Sequence, residues 1–410
     1  MGKNAIFTLL AILYLLINIV ASLNSSNDEY ALLAFKSQIT SDPNKILAKN
    51  WSQGTSFCNW IGITCDRGHL RVKGLNLTYM GLGGTVAKEI GELSLLRSLI
   101  ISNNNFHGFI PNEIGKLSQL QEIEMQYNKL TGSIPPSIGF LENLQKLTIS
   151  HNGLTGNIPK RIFNLSSLIE VSFGNNGLSG SLPMDICYNL PKLERLRISV
   201  NQTNGNIPPS LGTCTNHEIL SLSNNHFSGR IPMEIGNLSR LQVLHLGSNN
   251  LTANSFSGRL PMNLGNLQNL QKLSFEYNQL TNDPSMLELD FLTSLQNCRK
   301  LKSIMMGINS FNGMLPKSLG NLSASVEILS ADNCGIKGII PNEIGNMSNL
   351  IVLRIEGNEL TGTIPGTLGQ LRKLQKLRLD VNKLEGSVPV NLCNLVNLYL
   401  LDLGNNQLSQ

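Results

Sequence analysis

Leucine and isoleucine recur along most of the chain in a pattern that repeats every 24 residues. The stretch "IPNEIGKLSQLQEIEMQYNKLTGS" (110–133) aligns, class by class, with "IPPSIGFLENLQKLTISHNGLTGN" (134–157). In the second stretch Leu144, Leu147 and Ile149 form the pattern LxxLxL, and the spacing of two between the last pair predicts a short strand with both side chains inward. Strands of successive units are expected to pair in parallel.

The polar and small residues of the same unit also have predictable roles. Asn152 follows Ile149 by three residues, and its amide has donors and an acceptor for backbone groups of neighbouring turns. Gly156 permits a tight bend, and Pro159 suits an edge because it has no N–H to donate. A column of such asparagines predicts a structural ladder inside the stack and not a binding site.

A period of this length with this signature is typical of leucine-rich repeats. Because one unit cannot bury its apolar side alone, stacking creates the fold and the ends need capping. We predict an α/β leucine-rich-repeat solenoid over residues 70–410, with about fourteen repeats of which the last is incomplete. After a partial unit, full units begin at Val86, Ile110, Ile134, Ile158, Leu182, Ile207, Ile231, Leu260, Phe291, Leu315, Ile340, Ile364 and Val388.

The consensus LxGxIPxxIGxLxxL, present as "LTGTIPGTLGQLRKL" (360–374), resembles the plant-type repeats of receptor-like kinases and receptor-like proteins. This resemblance implies a second short strand near GxIP, a right-handed superhelix, a concave parallel sheet and a convex side of helical or 3₁₀ segments. The segments "FLTSLQNCRKL" (291–301) and "IKGIIPNEIGNMSNL" (336–350) most resemble sequences of the subfamily that includes immune receptors for flagellin and elongation factor.

The amino-terminal residues follow the pattern of a signal peptide. Lys3 precedes the apolar run 5–20, which is short for a membrane span, and small residues follow it. We predict cleavage of residues 1–22 and entry into the secretory pathway. No second apolar run of spanning length follows, so we expect no membrane span after cleavage. The expected location is extracellular or apoplastic, or the plasma membrane if the chain is part of a full-length receptor.

Residues 23–69 differ from the repeats and are predicted to form an amino-terminal cap. The segment 28–39 places Leu32, Leu33, Phe35 and Ile39 on one helical face, with Ser26 or Asn27 as the cap residue of the helix. The stretch "SFCNWIGITC" (56–65) follows, and secretion favours a disulfide between its two cysteines, closing a loop over the open end of the first repeat.

The order of helix and "CNWxGITC" resembles the cap of plant receptor kinases, which implies that Cys58 and Cys65 are bonded. A redox or metal pair is the alternative, but the spacing is not CxxC and no histidine cluster accompanies it.

The five other cysteines each occupy a recognisable repeat position. Cys214 and Cys298 replace a leucine, which indicates small buried apolar residues. Cys334 stands in the asparagine column. Cys187 and Cys214 lie in adjacent units and could pair with each other, whereas Cys393 has no evident partner.

Composition and motifs argue against nucleic-acid binding and catalysis. The formal net charge is +5, and the basic residues are spread along the chain without a run. The glycines of "GLGGTV" (81–86) belong to the repeat, and no H-R-D or D-F-G motif follows. The six histidines are scattered, and His217 replaces a repeat leucine. We therefore predict no enzymatic activity in this chain and no cofactor or metal.

Function is instead expected on the solvent side of the sheet, at variable positions beside the inward strand residues. The simplest alternative is a solvated face on which Arg354 and Arg378 neutralise Glu356 and Asp380 across neighbouring strands. Aromatic and arginine side chains over a rigid sheet are nevertheless typical of binding hot spots. The predicted ligand-surface residues are Tyr127, Arg195, Arg197, His245, Glu276, Tyr277, Arg354, Glu356, Arg378 and Asp380.

Sequons and insertions mark other surface positions. Asn-x-Ser/Thr triplets recur along the chain, and the predicted glycosylation sites are Asn50, Asn164, Asn237, Asn321 and Asn346. Two units depart from the period, at 249–261 and at 278–292, where solenoids place loops beside a face.

These features predict an ectodomain, or part of one, that binds without catalysis. The family resemblance implies a peptide or protein ligand, a co-receptor kinase as a second partner, and a role in plant defence or development. The alternatives are a secreted inhibitor of pathogen wall-degrading enzymes and an adhesive scaffold. Because "LDLGNNQLSQ" stops within a repeat and places Leu401 near an uncapped end, we also expect the chain to be truncated.

Overall fold

The computed structural model describes residues 26–52, 54–68, 70–252, 260–283 and 285–409. The predicted signal peptide, residues 1–22, lies outside the described residues, as does most of the insertion within 249–261. The chain divides into two compact units, Met1–Ser179 and Gly180–Gln410. Each unit is built from repeats in which a main strand, a second short strand and a 3₁₀ turn follow one another.

The first unit contains a short helical cap followed by stacked repeats. Its main strands are Ile63–Cys65, Val72–Asn76, Ser98–Ile100, Glu122–Glu124, Lys146–Thr148 and Glu170–Ser172. Its second strands are Ile39–Ser41, Gly83–Thr85, Asn105–Gly108, Lys129–Gly132, Gly153–Asn157 and Gly177–Ser181, the last of which reaches into the second unit. Its helical segments are residues 26–37 and Ile46–Asn50, with 3₁₀ turns at Phe57–Asn59, Lys88–Glu92, Asn112–Lys116, Pro136–Phe140 and Lys160–Asn164.

The second unit continues the same order of elements. Its main strands are Arg195–Arg197, Ile219–Ser221, Val243–His245, Lys272–Ser274, Ser303–Met305, Ile328–Ser330, Val352–Arg354, Lys376–Arg378 and Leu400–Asp402. Its second strands are Gln202–Asn206, His226–Gly229, Asn250–Leu251, Lys337–Gly338, Glu359–Leu360, Glu385–Ser387 and Gln407–Ser409. Its helices are Ile186–Asn189 and Asp290–Ser294, with 3₁₀ turns at Pro209–Thr213, Met233–Asn237, Met262–Asn266, Leu295–Asn297, Lys317–Asn321, Asn342–Asn346, Gly366–Gln370 and Val390–Asn394.

Parallel pairing of the main strands places equivalent residues of successive repeats opposite each other. Leu353, for example, lies opposite Leu329 on one side and Leu377 on the other, and all three are buried. Because side chains alternate along a strand, the residues on either side of Leu353 point outward. The leucine-rich-repeat solenoid predicted from the 24-residue period is confirmed.

The asparagine column forms the predicted internal ladder. The Asn152 amide nitrogen donates to the carbonyl oxygens of Met125 (3.0 Å) and Ile149 (3.1 Å), and its oxygen accepts from the Leu130 N–H (3.0 Å). One side chain thus satisfies three buried backbone groups in two repeats, which would otherwise be costly to bury. Cys334 occupies this column in its own repeat and is buried.

The residue before each ladder position adopts a left-handed backbone conformation. Val200 (φ 61°), Ile308 (φ 54°) and Val381 (φ 54°) do so although they are β-branched. Such a conformation is costly for a β-branched side chain. The turn that ends each main strand is therefore imposed by the repeat, whichever residue stands there.

The amino-terminal cap differs in one respect from the sequence-based prediction. Helical residues 26–37 bury Leu32 and Phe35, but the helix ends before Ile39. Ile39 instead begins the strand Ile39–Ser41, which pairs antiparallel with Gly83–Thr85 and sets Ile39 opposite Gly84. A Cβ on Gly84 would lie 2.1 Å from the Gln38 carbonyl oxygen, so only glycine allows this close approach. The prediction that Ile39 completes a helical face was wrong, because strand pairing supplies backbone partners there.

Ser26 and Asn27 lie within this helix, so neither is the cap residue that the sequence suggested. Within the cap, Trp51 stacks on Trp60 (5.4 Å between centroids), and Phe35 of the cap contacts Phe106 of the repeats (5.8 Å). The strand that contains Cys65 pairs antiparallel with Val72–Asn76. The cap thus covers the first repeat with both aromatic rings and a strand.

Two disulfides are present, Cys58–Cys65 in the cap and Cys187–Cys214 in the second unit. The second bond ties the helix Ile186–Asn189 to the residue after the next 3₁₀ turn, and so links two successive repeats. Cys298 is buried and unbonded, with its thiol pKa raised by burial to about 11. A thiol that is neutral at physiological pH suits the apolar role predicted for it.

His217 places a polar ring at a core position that leucine holds in other repeats. The side chain is fully buried, and neither ring nitrogen has a hydrogen-bond partner. Burial lowers the pKa of His217 to about 4, so the ring is neutral over most of the physiological range. As predicted, His217 occupies a core position that leucine holds in other repeats.

Candidate ligand-binding surface

The outward side of the main strands, together with the turn after each strand, is called the sheet face here. In the repeat of strand Val352–Arg354 the sheet face consists of Val352, Arg354, Glu356 and Gly357. Parallel register aligns these four positions with their equivalents in the neighbouring repeats, so that the sheet face is an array of four columns. All ten predicted ligand-surface residues occupy column positions on this face.

In the first unit the predicted residue Tyr127 lies in the turn after strand Glu122–Glu124. Its side chain is half exposed, and its ring stacks on His151 of the next repeat with centroids 4.1 Å apart. His151 in turn lies 3.3 Å, through Nε2, from the Asn175 amide nitrogen. The turns of three consecutive repeats are thus in side-chain contact, and His151 and Asn175 are partners that the sequence did not single out.

In the second unit Arg195 and Arg197 flank the buried Leu196 on one strand. The Arg195 guanidinium pairs with Glu218 (2.9 Å) and with Glu194 (3.3 Å), so much of its charge is neutralised within the protein. Register places Arg197 opposite Ser221, and Ser221 opposite His245, in one column.

His245 lies two repeats after Arg197, and Glu276 and Tyr277 lie on the repeat after that of His245. Burial, and then the charge of Lys272, lowers the pKa of His245, which favours the neutral ring. Burial, and then the charge of Asp332, raises the pKa of Glu276. Tyr277 is half exposed in the turn after its strand. These three residues form a middle region of the face, between the arginine pair and the repeats that follow.

The four remaining predicted residues meet in one charged cluster. Arg354 pairs with Glu356 (2.9 Å), and Arg378 pairs with both Glu356 (2.9 Å) and Asp380 (3.2 Å). The neutralisation of Glu356 and Asp380 by the two arginines, which was the simplest alternative, is thus present. Neutralisation does not account for the whole cluster, because further carboxylates take part.

Asp332 and Asp402 are the cluster members that residue-by-residue reading of the sequence missed. Asp332 lies 3.5 Å from Arg354, and Asp402 lies 4.0 Å from Arg378. The signal was available, because Asp332, Glu356 and Asp380 are spaced by the 24-residue period and so occupy one column. Within the second unit the predicted residues therefore fall into an arginine pair, a middle region and a charged cluster.

Four of the five predicted glycosylation sites share one structural position. Asn164, Asn237, Asn321 and Asn346 are exposed and are each the last residue of a 3₁₀ turn. Asn50 is the exposed last residue of the helix Ile46–Asn50. The 3₁₀ turns stack in a layer separate from the main strands, so glycans at the four turn positions would leave the sheet face uncovered.

Within the residues that the structure describes, no group of three or more His, Cys, Asp or Glu side chains is arranged to hold a metal ion. Over the same described ranges, no helix is both long enough and apolar enough to cross a membrane. Burial raises the pKa of Cys334 to about 12, consistent with a packed thiol, whereas Cys393 is exposed.

Family models match most of the chain. A leucine-rich repeat region is matched over residues 68–205 and 153–332, a leucine-rich repeat N-terminal domain over 25–66, and further single repeats over 325–347 and 349–371. Among curated proteins, the LRR receptor-like serine/threonine-protein kinase EFR of Arabidopsis thaliana is 41% identical over 86 residues. That alignment covers 21% of this chain and 8% of the kinase.

Solved structures of plant receptors are also similar. The crystal structure of PEPR1 with AtPEP1 has a TM-score of 0.81 and 32% identity, covering 93% of this chain and 52% of that one. The plant peptide hormone receptor RGFR1 in complex with RGF2 has a TM-score of 0.71 and 32% identity, covering 80% and 54% of the two chains. The chain thus spans about half the length of these structures.

Proposed function

The chain belongs to the leucine-rich-repeat family, and from that premise we propose that it recognises an extracellular peptide or protein ligand on its sheet face, without catalysis. The observation that carries the proposal is its likeness to PEPR1, whose structure was solved with AtPEP1. In this proposal the chain acts in plant defence or development signalling, and a co-receptor kinase is a second partner.

The rigidity of the sheet face supports a recognition role. Ladder residues such as Asn152 and Asn358 tie each repeat to the one before it, and buried leucines hold every main strand from below. A preorganised surface loses little entropy when a ligand binds. Specificity can then come from side chains that differ between repeats, such as Tyr127, Arg195 and Tyr277.

The sequon positions agree with this role. Sites on the 3₁₀ layer would carry bulky glycans away from the main strands, so that a ligand could still reach the sheet face. An extracellular location is part of the same proposal, and the two disulfides suit an oxidising compartment.

The decisive experiment combines binding with mapping of the contact. The full chain, made through a plant secretory pathway, is incubated with fractionated extracellular peptides, cross-linked, and the cross-links are located by mass spectrometry. We expect saturable binding with cross-links on sheet-face residues. A second preparation, with Tyr127, Arg195, Arg197, His245, Glu276 and Tyr277 all replaced by alanine, is expected to lose most of the binding.

Two results would contradict the proposal. Cross-links confined to the 3₁₀ layer, or full binding by the six-residue variant, would move the site away from these residues. Saturable inhibition of a purified microbial wall-degrading enzyme would favour the secreted inhibitor. Binding to wall polymers alone would favour the scaffold.

A further inference from the structure

Three carboxylates form a row across consecutive repeats of the second unit. Asp332, Glu356 and Asp380 each follow a main strand by two residues, and the register of those strands aligns them in one column. Neighbouring strands lie about 4.8 Å apart, so like charges in one column repel unless cations separate them. Repulsion between the charges of this carboxylate row destabilises the folded chain unless cations offset it.

The cations within the protein do not balance the row. Arg354 forms ion pairs with Asp332 and Glu356. Arg378 forms ion pairs with Glu356, Asp380 and the more distant Asp402. Four carboxylates therefore share two guanidinium groups. The cluster therefore keeps a net negative charge.

Hydrogen bonding in the row is also incomplete. Glu356 is 5% exposed and Asp380 is 8% exposed, yet Glu356 Oε2 and Asp380 Oδ1 have no hydrogen-bond partner. Both arginines approach Glu356 through its other oxygen, Oε1. A buried carboxylate oxygen without a donor loses its hydration and gains nothing in return. Both carboxylates stand at outward positions of the sheet face, where a cation bound from the solvent side would lie against the row.

The row is bounded by glycines in the same column. Gly307 precedes Asp332 and Gly404 follows Asp380, so no side chain fills the column at either end. A Cβ on Gly307 would lie 2.4 Å from Asp332 Oδ1, which means that the carboxylate leans over the glycine. Beyond Gly307 stands Glu276, another carboxylate. At the Gly307 end, the Asp332 carboxylate therefore occupies the space that a side chain would fill.

We propose that this carboxylate row, Asp332, Glu356 and Asp380, receives an arginine or lysine side chain of the ligand that the sheet face recognises. The inference rests on the proposed function and adds the chemistry of the ligand. A guanidinium or ammonium group brings the positive charge that the row lacks, together with N–H donors for exposed acceptors around it. Arg354 and Arg378 hold the carboxylates in place, and the ligand cation completes their pairing.

The test uses the full chain and four synthetic peptides. Each peptide has twelve residues, an acetylated amino terminus, an amidated carboxyl terminus and a Gly-Ser background, and the central three residues are Arg, Lys, Gln or Glu. Dissociation constants are measured by isothermal titration calorimetry at low and at moderate salt. We expect the Arg and Lys peptides to bind at least tenfold more tightly than the Gln peptide, with weaker binding at higher salt.

Variants locate the binding on the row. Glu356→Gln and Asp380→Asn each remove one charge and are expected to weaken Arg-peptide binding at least fivefold. Glu359→Gln is the matched control, because Glu359 lies on the second strand of the same repeat as Glu356 and pairs with Lys383 away from the sheet face (3.0 Å). Melting temperatures verify folding, and Asp332→Asn replaces any variant that fails to fold.

Equal affinity for the Arg and Gln peptides would overturn the inference, as would equal loss in Glu359→Gln and in the row variants. Preference for the Glu peptide would assign the site to the arginines instead. The proposed function would survive each of these outcomes if the natural ligand still depends on Arg195, His245 or Tyr277. Conversely, natural-ligand cross-links confined to the 3₁₀ layer would defeat the proposed function without touching the peptide result.

Discussion

Asp28 in the cap helix and Arg71 at the start of the first repeat form a buried, two-pronged ion pair. Arg71 donates through Nε to Asp28 Oδ2 and through its terminal nitrogen to Oδ1, each at 2.8 Å. The Val72 N–H also donates to Asp28 Oδ2 at 2.8 Å, and Arg71 reaches Ser94 at 3.1 Å. This ion pair therefore joins the cap helix, the strand Val72–Asn76 and Ser94 of the next repeat.

Removing the charge of Asp28 should destabilise the amino-terminal end of the first unit. Asp28→Asn leaves Arg71 buried with a neutral partner, and breaking such a pair costs about 3 to 5 kcal/mol. Hydrogen exchange is expected to accelerate first in the strands Val72–Asn76 and Ser98–Ile100. Glu92→Gln breaks an exposed pair with Lys116 and should change little, about 1 kcal/mol or less. Equal effects of the two substitutions would mean that the buried pair does not hold the cap.

The substitution His217→Leu should stabilise the second unit, because both ring nitrogens of His217 are buried without hydrogen-bond partners. The pH dependence follows from its pKa, about 4 in the folded chain against 6.5 for the free side chain. The unfolded chain binds the proton first, so the folded state loses stability as pH falls from 6.5 to 4, by up to about 3 kcal/mol. Thermal melts from pH 7 to pH 4 should show a smaller loss for His217→Leu than for the original chain. Parallel curves would contradict this account.

Asparagine at position 381 should make the folded chain more stable than valine does. Val381 is β-branched and has a φ of 54°, whereas Asn405 holds the same turn position in the next repeat with a φ of 51°. Asparagine tolerates this conformation, so Val381→Asn is expected to stabilise the chain by about 1 kcal/mol. Val390→Asn is the control, since Val390 is exposed but has no left-handed backbone. A gain in both variants would point to surface polarity as the cause.

Mass mapping of the secreted chain should find two disulfides, Cys58–Cys65 and Cys187–Cys214, and three free thiols. Replacing both cap cysteines with serine opens a short loop and is expected to cost about 2 to 3 kcal/mol. The loss should appear as fraying of the first repeats, measured by limited proteolysis. Free thiols at Cys58 and Cys65 in the untreated protein would contradict the cap assignment.

Glycopeptide mapping should distinguish two kinds of sequon. Asn164, Asn237, Asn321 and Asn346 end exposed 3₁₀ turns and are expected to carry glycans. Asn201 is a ladder residue whose amide donates to the Ile198 carbonyl (2.9 Å), so it is expected to remain unmodified. A glycan on Asn201 would show that modification precedes formation of the ladder.

The 24-residue period made much of this protein predictable from its sequence. Counting from Leu147 or Asn152 locates equivalent residues in every regular repeat, because a stacked unit must present the same positions to its neighbours. Strand register, the ladder and the columns of the sheet face all follow from that count. Asp332 could have been found in the same way, by counting back 24 residues from Glu356.

Where the period is absent, only the tertiary structure decided the outcome. Asp28 and Arg71 are 43 residues apart in a cap that does not repeat, so no count could join them. Ile39 lies in a strand and not in the helix, because it pairs with Gly84, which is far away in the sequence. The unmatched oxygens of Glu356 and Asp380 likewise depend on which oxygen each arginine reaches. Periodicity determines the column of a residue, whereas side-chain pairing depends on the three-dimensional neighbours that compete for each atom.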